Sequence, residues 1–438
     1  MSVSTDEMYN AESRYLHQLF KIHFSSSEVL EVTKSKYLIS SSNLEESYKS
    51  SDSPFGDVTS NELTLTLYNE NNIFNPINRA SKYYGLIKKG VKIEAFIRPD
   101  EVDEWDPIGV FYVSDWYTAS SGLTAEVTAN DALYNVLNGP VPSMPIFRSV
   151  RLTEFLPVYF SYFGYDVIVD PSLDTTIPYI YTSEHSNNKA FLTDLMKCCL
   201  ADCFCDHNGN INVISKVKAR ALRATLTDND QIISVDIKQA ISTSYDSVSV
   251  SYNKTQESNE QSILEVSEIN LVPGLNSTGK LNFSKHPVLS VRSLKTTGSN
   301  IAKVQSFMAT AKDFDGSIQS TYEGTTELKV IGTVLETVSS SIGKGADTPL
   351  KIESKFIQEE SRAEAVSRYT EAYIEANMPT LELTIRGNPK IPIGSKLEVE
   401  SDRYKVQYTG ILIRAAYDYV GSLSCKITLA DASVLEEV

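Results

Sequence analysis

Apolar and polar residues alternate along most of this chain. The run "ELTLTLYN" places Leu63, Leu65 and Leu67 on one face and polar residues on the other. "FKIHF", part of "EVLEVTKSKYLI", "VKIEAFI", "GVFYVSDWYT" and "LTAEVTAND" follow the same period of two, which predicts strands with one buried face. Short strands at this spacing predict a barrel or a sandwich. Between them, "SSSNLEESYKSSDSPFGDV" is rich in Ser and turn formers and reads as a long mobile loop or an inter-subunit arm. "NNIFNPINRASKYYGLIKKG" reads as an irregular or helical connection.

The period changes after residue 130. Asp131 stands as a capping residue before "ALYNVL". "RLTEFLPVYFSYFGYDV" predicts a helix that ends near Gly164 and kinks at Pro157. In "NNKAFLTDLMKCCLADC", Leu192, Leu195, Met196, Cys199 and Cys203 share one helical face. "FCDHNGNINVI" then reads as strand, Asn-Gly turn, strand. From Asp230 alternation returns in "QIISVDIKQA", "SVSVSYNKT", "ILEVSEINLV", "KLNFSKHPVLSVRSL" and "TELKVIGTVLETV". One helix interrupts it at residues 358–377, with Ala363, Val366, Tyr369, Thr370 and Tyr373 on its inner stripe. The closing strands are "TLELTIRGNP", "GSKLEVES", "RYKVQYTGILIRAAYDY" and "LSCKITLA". No tandem repeat of 20–50 residues occurs. The first and last β regions do echo one another, each placing a Gly turn before its final pair of strands.

The predicted fold is therefore mainly β with an inserted α+β unit: two related small β-barrels plus α/β accessory domains. The boundaries expected are 1–132 for the first barrel and 133–228 for the α+β domain. The second barrel takes 229–438, with a β-rich insertion at about 262–350 and the helix at 358–377.

Composition narrows the function. A net charge of −16 opposes a phosphate-binding surface, so no specific nucleic-acid binding is expected. The start lacks a basic region followed by an apolar stretch, and no run reaches the roughly 18 apolar residues of a membrane helix. The expectation is a protein made soluble in the cytoplasm of its producing cell, without stable membrane insertion.

Candidate chemistry is sparse. Cys198, Cys199, Cys203, Cys205, Asp206 and His207 crowd together, but zinc sites pair two close ligands with a distant second pair, and none is present. Core packing is the expected role of these cysteines. Asp206, Asn208 and Asn210 brush against a calcium-loop pattern, yet Ile211 stands where Gly is needed and Val217 where the acid is needed. "DFDGS" is a turn. "SSIGKGAD" matches a phosphate loop only at Gly343-Lys344. The histidines (His17, His23, His185, His207, His286) are scattered, with no nucleophile–base setting. A two-carboxylate glycosidase would leave no local signature. The aromatic run "FLPVYFSYFGY" fits a core or a subunit interface. No catalytic residue, metal or cofactor is expected.

Two stretches carry a resemblance. "GVKIEAFI…WDPIGVFYVSDWYTASSGLTAEVTANDALYNVL" resembles the first barrel of bacteriophage tail hub, or baseplate hub, proteins. Gly109, Val113, Asp115 and Trp116 match its second strand, and Thr128, Ala129, Asp131 and Leu133 its strand-to-helix junction. "IRGNPKIPIGSKLEVES…YKVQYTGILIRAAYDYVGSLSCKITLA" is similar to the hub's closing barrel, with Gly387, Asn388, Pro389 and Gly394 in its turn. The order of elements agrees over nearly the whole chain.

That resemblance implies a structural virion protein of the tail tip, not an enzyme. It implies a homotrimer whose six barrels adapt a sixfold tail tube to a threefold spike. The implied partners are further copies of the chain, the tail tube or tube-initiator and distal tail proteins, and a central spike or tip protein. DNA would pass through the lumen during ejection. Through residue 140 there are 20 Asp+Glu against 11 Lys+Arg, and part of this acid is expected to line the channel. The alternative is a tail-associated cell-wall hydrolase or receptor-binding protein. Many tail-tip hubs continue into a fibre or peptidase domain, whereas this chain stops at Val438. The Ser-rich segment at 40–61 is also longer than a minimal barrel needs.

Overall fold

The computed structural model describes residues 9, 15–47, 54–100, 102–119, 122–217, 221–228, 232–238, 245–297, 302–343, 348–376, 379–419 and 423–431. Strands make up 54% of it and helices 13%, so the mainly β expectation holds, and the sheets curl into half-barrels.

The first unit contains β1 (Leu16–His23), β2 (Val29–Val32), β3 (Leu38–Ser47), β4 (Glu62–Tyr68), β5 (Lys92–Pro99), β6 (Asp106–Thr118) and β7 (Thr124–Asn130). They lie antiparallel in the order β3-β4-β7-β6-β5-β1-β2. Alternation in β4 and β5 buries Leu63, Leu65, Leu67, Ile93, Ala95 and Ile97. The connection at residues 69–90 holds a short 3-10 turn and otherwise consists of turns. Its order comes from packing. Phe74 and Tyr83 are fully buried and stacked 5.6 Å apart, and Trp116 Nε1–H donates to the Phe74 carbonyl at 3.0 Å.

The α+β unit follows as α1 (Ala132–Asn138), β8 (Phe147–Arg151), α2 (Leu152–Ser161), β9 (Val167–Val169), β10 (Thr176–Ile180), α3 (Asn188–Cys199), β11 (Ala201–Cys205) and β12 (Ile211–Ser215). Two expectations need correction here. Helix α3 stops at Cys199 because Leu200 turns left-handed (φ +54°), so Cys203 lies on β11 instead of the helical face. The Ser-rich segment is not one mobile loop. Residues 38–47 form β3, and Phe55 is fully buried where the segment 54–59 docks on β11. Gly56 N–H donates to the Ala201 carbonyl at 3.0 Å and Cys203 N–H to the Asp57 carbonyl at 2.9 Å. Residues 48–53 lie outside the described residues.

The rest of the chain gives β13 (Leu222–Thr227), β14 (Ile232–Lys238), β15 (Ser247–Glu257), β16 (Gln261–Leu271), β17 (Gly274–Asn282), β18 (Val288–Thr296), β19 (Ala302–Ala309), β20 (Asp313–Ser320), β21 (Gly324–Gly343), β22 (Pro349–Glu353), α4 (Glu360–Ala376), β23 (Thr380–Ile385), β24 (Lys396–Ser401), β25 (Val406–Tyr419) and β26 (Leu423–Asp431). Strands β15–β22 build two separate sheets, one of them organised around the 20-residue β21. Helix α4 buries Ala363, Val366 and Tyr369 in the core of the α+β unit. The remaining strands form β14-β23-β26-β25, with β24 and β13 branching from β25.

β25 also pairs with β3 of the first unit, with Arg414 opposite Ser47. One 13-stranded sheet therefore runs through both units. Their apolar faces share one core, in which Leu65 and Val127 belong with Leu383 and Ile427.

Asp131 joins the first barrel to α1. Its carboxylate accepts from Asn61 N–H at 2.7 Å and from Tyr134 N–H at 3.0 Å, the latter as the N-cap of the helix. Burial pushes this carboxyl up to about 7, against the opposing pull of those donors. The folded chain thus keeps a proton that the unfolded chain releases near pH 4. Stability from this group is fully present below about pH 4 and falls as pH rises to about 7, by at most ~1.4 kcal/mol per pH unit. Asp131→Asn keeps an oxygen acceptor for the cap and removes the titration. Urea unfolding between pH 4 and 7 should show a smaller decline for Asp131→Asn than for wild type. Parallel pH profiles would refute this reading of Asp131.

Candidate assembly interface

The two barrels correspond residue by residue. In the first, Gly90 N–H donates to the Val113 carbonyl at 2.8 Å, and Val113 N–H donates to the Val91 carbonyl at 2.9 Å. In the second, Gly394 N–H donates to the Leu412 carbonyl at 2.8 Å, and Leu412 N–H donates to the Ser395 carbonyl at 2.8 Å. Both glycines have left-handed backbones, at φ +81° and +84°, which residues with a Cβ seldom adopt. One residue later each long strand slips register against its neighbour, between Val113 and Asp115 in β6 and between Leu412 and Arg414 in β25. Such a bulge bends a strand and adds twist, which curls a sheet.

The correspondence extends outward. Thr128 faces Asp115 on one side and Thr64 on the other; Thr428 faces Arg414 and Glu382 in the same way. β3 slips against β4 between Leu38 and Ser40, and β14 slips against β23 between Ile232 and Ser234. Hence β3, β4, β5, β6 and β7 match β14, β23, β24, β25 and β26. The likeness ends at the next strand, because β1 runs antiparallel to β5 whereas β13 runs parallel to β24.

Chemistry is exchanged while geometry is kept. The Phe111 ring lies over Gly109, where an added Cβ would come within 2.2 Å of it. At the matching positions the order is reversed, and the Tyr408 ring lies over Gly410, with 2.6 Å left for a Cβ. Each pair sits two residues apart on one face, and the ring fills the space the glycine leaves.

The other residues of the resemblance also fall at junctions. Ala129 and Leu133 are fully buried, and Asp131 caps α1. Gly387 is left-handed at φ +84°, and Asn388 accepts from Lys390 N–H at 3.0 Å, so this turn leads into Gly394.

The cysteine cluster divides. Cys198 and Cys199 end α3, whereas Cys203 and Cys205 lie on β11, and all four are buried. The Cys198 thiol donates to the Phe356 carbonyl at 3.1 Å. Burial pushes the Cys203 and Cys205 thiols up, away from the thiolate that binds metal. No group of three or more His, Cys, Asp or Glu that could hold a metal occurs among the described residues. At "DHNGN", Asp206 Oδ1 accepts from Asn208 N–H and Asn210 N–H, both at 2.9 Å, and Gly209 abuts Val110 of β6. That turn docks the β11–β12 hairpin onto the first barrel. His185 pairs with Asp194 at 2.9 Å beside Phe191 and Phe356, and Ser183 Oγ donates nothing to its Nδ1. This is no nucleophile–base relay.

No protein-family model matches the sequence, and no curated protein matches it either. Solved structures do. The 43 kDa tail protein of prophage MuSo2 from Shewanella oneidensis superposes with a TM-score of 0.55 at 10% identity, covering 96% of this chain and 100% of that one. A tail protein from Neisseria meningitidis superposes with a TM-score of 0.53 at 7% identity, covering 96% and 98%. The chain thus has the fold of phage tail proteins, as the resemblance implied. At such identities the likeness lies in the backbone.

If the buried thiols serve packing, metal analysis of purified protein should find well under one zinc per chain. Cys203→Ala should cost roughly 1 kcal/mol in chemical denaturation, as a small core truncation does. Stoichiometric zinc that survives dialysis against a chelator would overturn the packing role.

Proposed function

We propose that this chain is the structural hub of a phage tail tip or baseplate. It works as a homotrimeric ring that adapts a sixfold tail tube to a threefold spike or tip protein. The observation that carries this reading is the register-for-register match of two barrels within one continuous sheet. Three chains offer six near-equivalent barrels, closed head to tail around a threefold axis. The fold shared with the prophage MuSo2 tail protein and the Neisseria meningitidis tail protein supports it.

The difference between the barrels supports the threefold half. After β3 the chain returns to β4 through residues 48–61. After the matching β14 it returns to β23 only through residues 239–379, which hold β15–β22 and α4. A ring of six barrels would carry this insertion on every second one. The side that bears it would then keep threefold symmetry for a spike, while the bare barrels meet the tube or its distal tail proteins. The domains proposed are 1–132, 133–228 and 229–438, with the β-rich part of the insertion, at about 262–350, inside the longer 239–379 connection. The work is assembly, without an enzymatic step or a cofactor.

DNA passes through the lumen. The excess of 20 Asp+Glu over 11 Lys+Arg through residue 140 disfavours phosphate adhesion there. Screening limits such repulsion to about 8 Å at physiological salt, so only acids on the channel wall act.

Copy number in assembled tails, counted by cryo-electron microscopy, should be three, with mass photometry as a check on the free protein. Six or twelve copies would sink the proposal. Lys replacements of acids found on the channel wall should slow DNA ejection, and unchanged ejection rates would remove the electrostatic part alone.

A further inference from the structure

The two barrels of one chain touch through more than the pairing of β3 with β25. Lys390, in the turn before β24, pairs with Asp106 at the start of β6, 3.8 Å apart. The other Asp106 oxygen accepts from the Tyr9 hydroxyl at 2.7 Å. Both sides of this contact have counterparts in the other barrel. Gly394 matches Gly90, so counting back places Lys390 at Leu86, in the connection that joins β4 to β5. Ile97 follows Gly90 at the interval at which Ser401 follows Gly394. Asp106 faces Ile97 and Val406 faces Ser401, so Asp106 matches Val406 at the start of β25.

Charge marks both connections. The turn at 386–393 holds Arg386 and Lys390 and no acid. The longer connection at 69–89 holds Arg79, Lys82, Lys88 and Lys89 against Glu70 alone, in a chain of net charge −16. Lys88 and Lys89 are exposed and form no ion pair among the described residues. Ile77 and Tyr84 of the same connection are 81% and 47% exposed, so apolar surface accompanies the charge. At Val406, the acids Asp228, Glu400 and Asp402 line one recess together with Lys405. Asp228 accepts from Ser401 Oγ–H at 2.5 Å and from Arg403 N–H at 2.8 Å, and the Arg403 guanidinium lies over the Tyr404 ring. Glu400 and Asp402 are exposed and form no ion pair among the described residues.

We propose that the 69–89 connection of one copy docks on the β24–β25 end of a second copy, setting Lys88 and Lys89 against Glu400 and Asp402 as Lys390 meets Asp106 within the chain. A contact between unlike ends of two like barrels repeats head to tail. A ring of alternating barrels would carry it at every junction, once inside each chain and once between neighbours. The docking rests on the hub reading for the neighbour that supplies the second barrel; its chemistry comes from the internal pair.

The test is a paired cysteine variant, Lys89→Cys with Asp402→Cys, in full-length protein built into tails and treated with a short bismaleimide. The native cysteines are all buried, so the introduced thiols carry the reaction. Denaturing gels should show covalent dimers and trimers for the double variant and monomers for each single variant. Lys426 lies opposite Ala416, about 30 Å along β25 from Val406. Lys89→Cys with Lys426→Cys should therefore stay monomeric, and equal linking by that pair would overturn the contact. Added to the matched pair, Lys88→Glu should lower the linked fraction severalfold, and Glu400→Lys on the same chain should restore it. A fraction unmoved by either change would overturn the charge pairing. Three copies per tail with no linking of the matched pair would overturn the docking and leave the hub reading standing. Linked chains beyond trimers would support the docking and count against three copies.

Discussion

The pairing of β3 with β25 is the constraint on which the architecture depends. Without it β3 and the end of β25 would each be an open edge, and the two apolar faces would not be joined. With it, Leu65 and Val127 share a core with Leu383 and Ile427. A one-residue slip would turn each strand's apolar set outward, so the shared core also holds the register. The barrels are fixed to one another as neighbours in a sheet, which is a far stiffer joint than a linker.

Everything else is suspended from the connections between barrel strands. The α+β unit leaves at Asp131, which bonds backward to Asn61 and forward to Tyr134. Its β11 returns to grip the segment after β3, and its Asn-Gly hairpin rests on Val110. A buried ion pair between Lys216 and Asp202, 3.1 Å apart, lies at the base of this grip. Because Asp202 also accepts from Asp57 N–H at 2.8 Å, one carboxylate ties β11 both to the β3–β4 connection and to the end of β12. Helix α4 is placed by the same unit, since Phe356, next to it, packs on Phe191 and on the Cys198 thiol.

Much of this was legible where burial is one-sided. "ELTLTLYN" and "VKIEAFI" alternate because one face meets the core, and Asp131 shows as a cap because the apolar series begins beside it. The Ser-rich run failed as a strand signal because Ser40, Ser41 and Ser42 carry little apolar contrast. Strands on both sides hold β3 in place, and one of them, β25, is more than 350 residues away in sequence. Cys203 fell on a helical stripe by spacing alone; the left-handed Leu200 that ends α3 leaves no mark in periodicity. The echo between the first and last β regions was visible only as a repeated Gly turn. Its depth is in backbone pairing, which side-chain patterns do not record.

The exchange of Gly109 and Phe111 for Tyr408 and Gly410 explains how the two barrels keep one geometry with little shared sequence. A strand that bends sharply needs one position without a Cβ and a ring nearby to refill the space. Either order meets that need, because the two residues point to the same face. What is held constant is the bulge after Val113 and Leu412 and the left-handed turns at Gly90 and Gly394, since these set curvature. Charge on the outer face is free to change: Asp115 stands where the other barrel has Arg414 and Glu126 where it has Lys426, whereas Lys92 and Glu94 keep their signs at Lys396 and Glu398. Two barrels alike in curvature but different in local charge therefore present different outer surfaces.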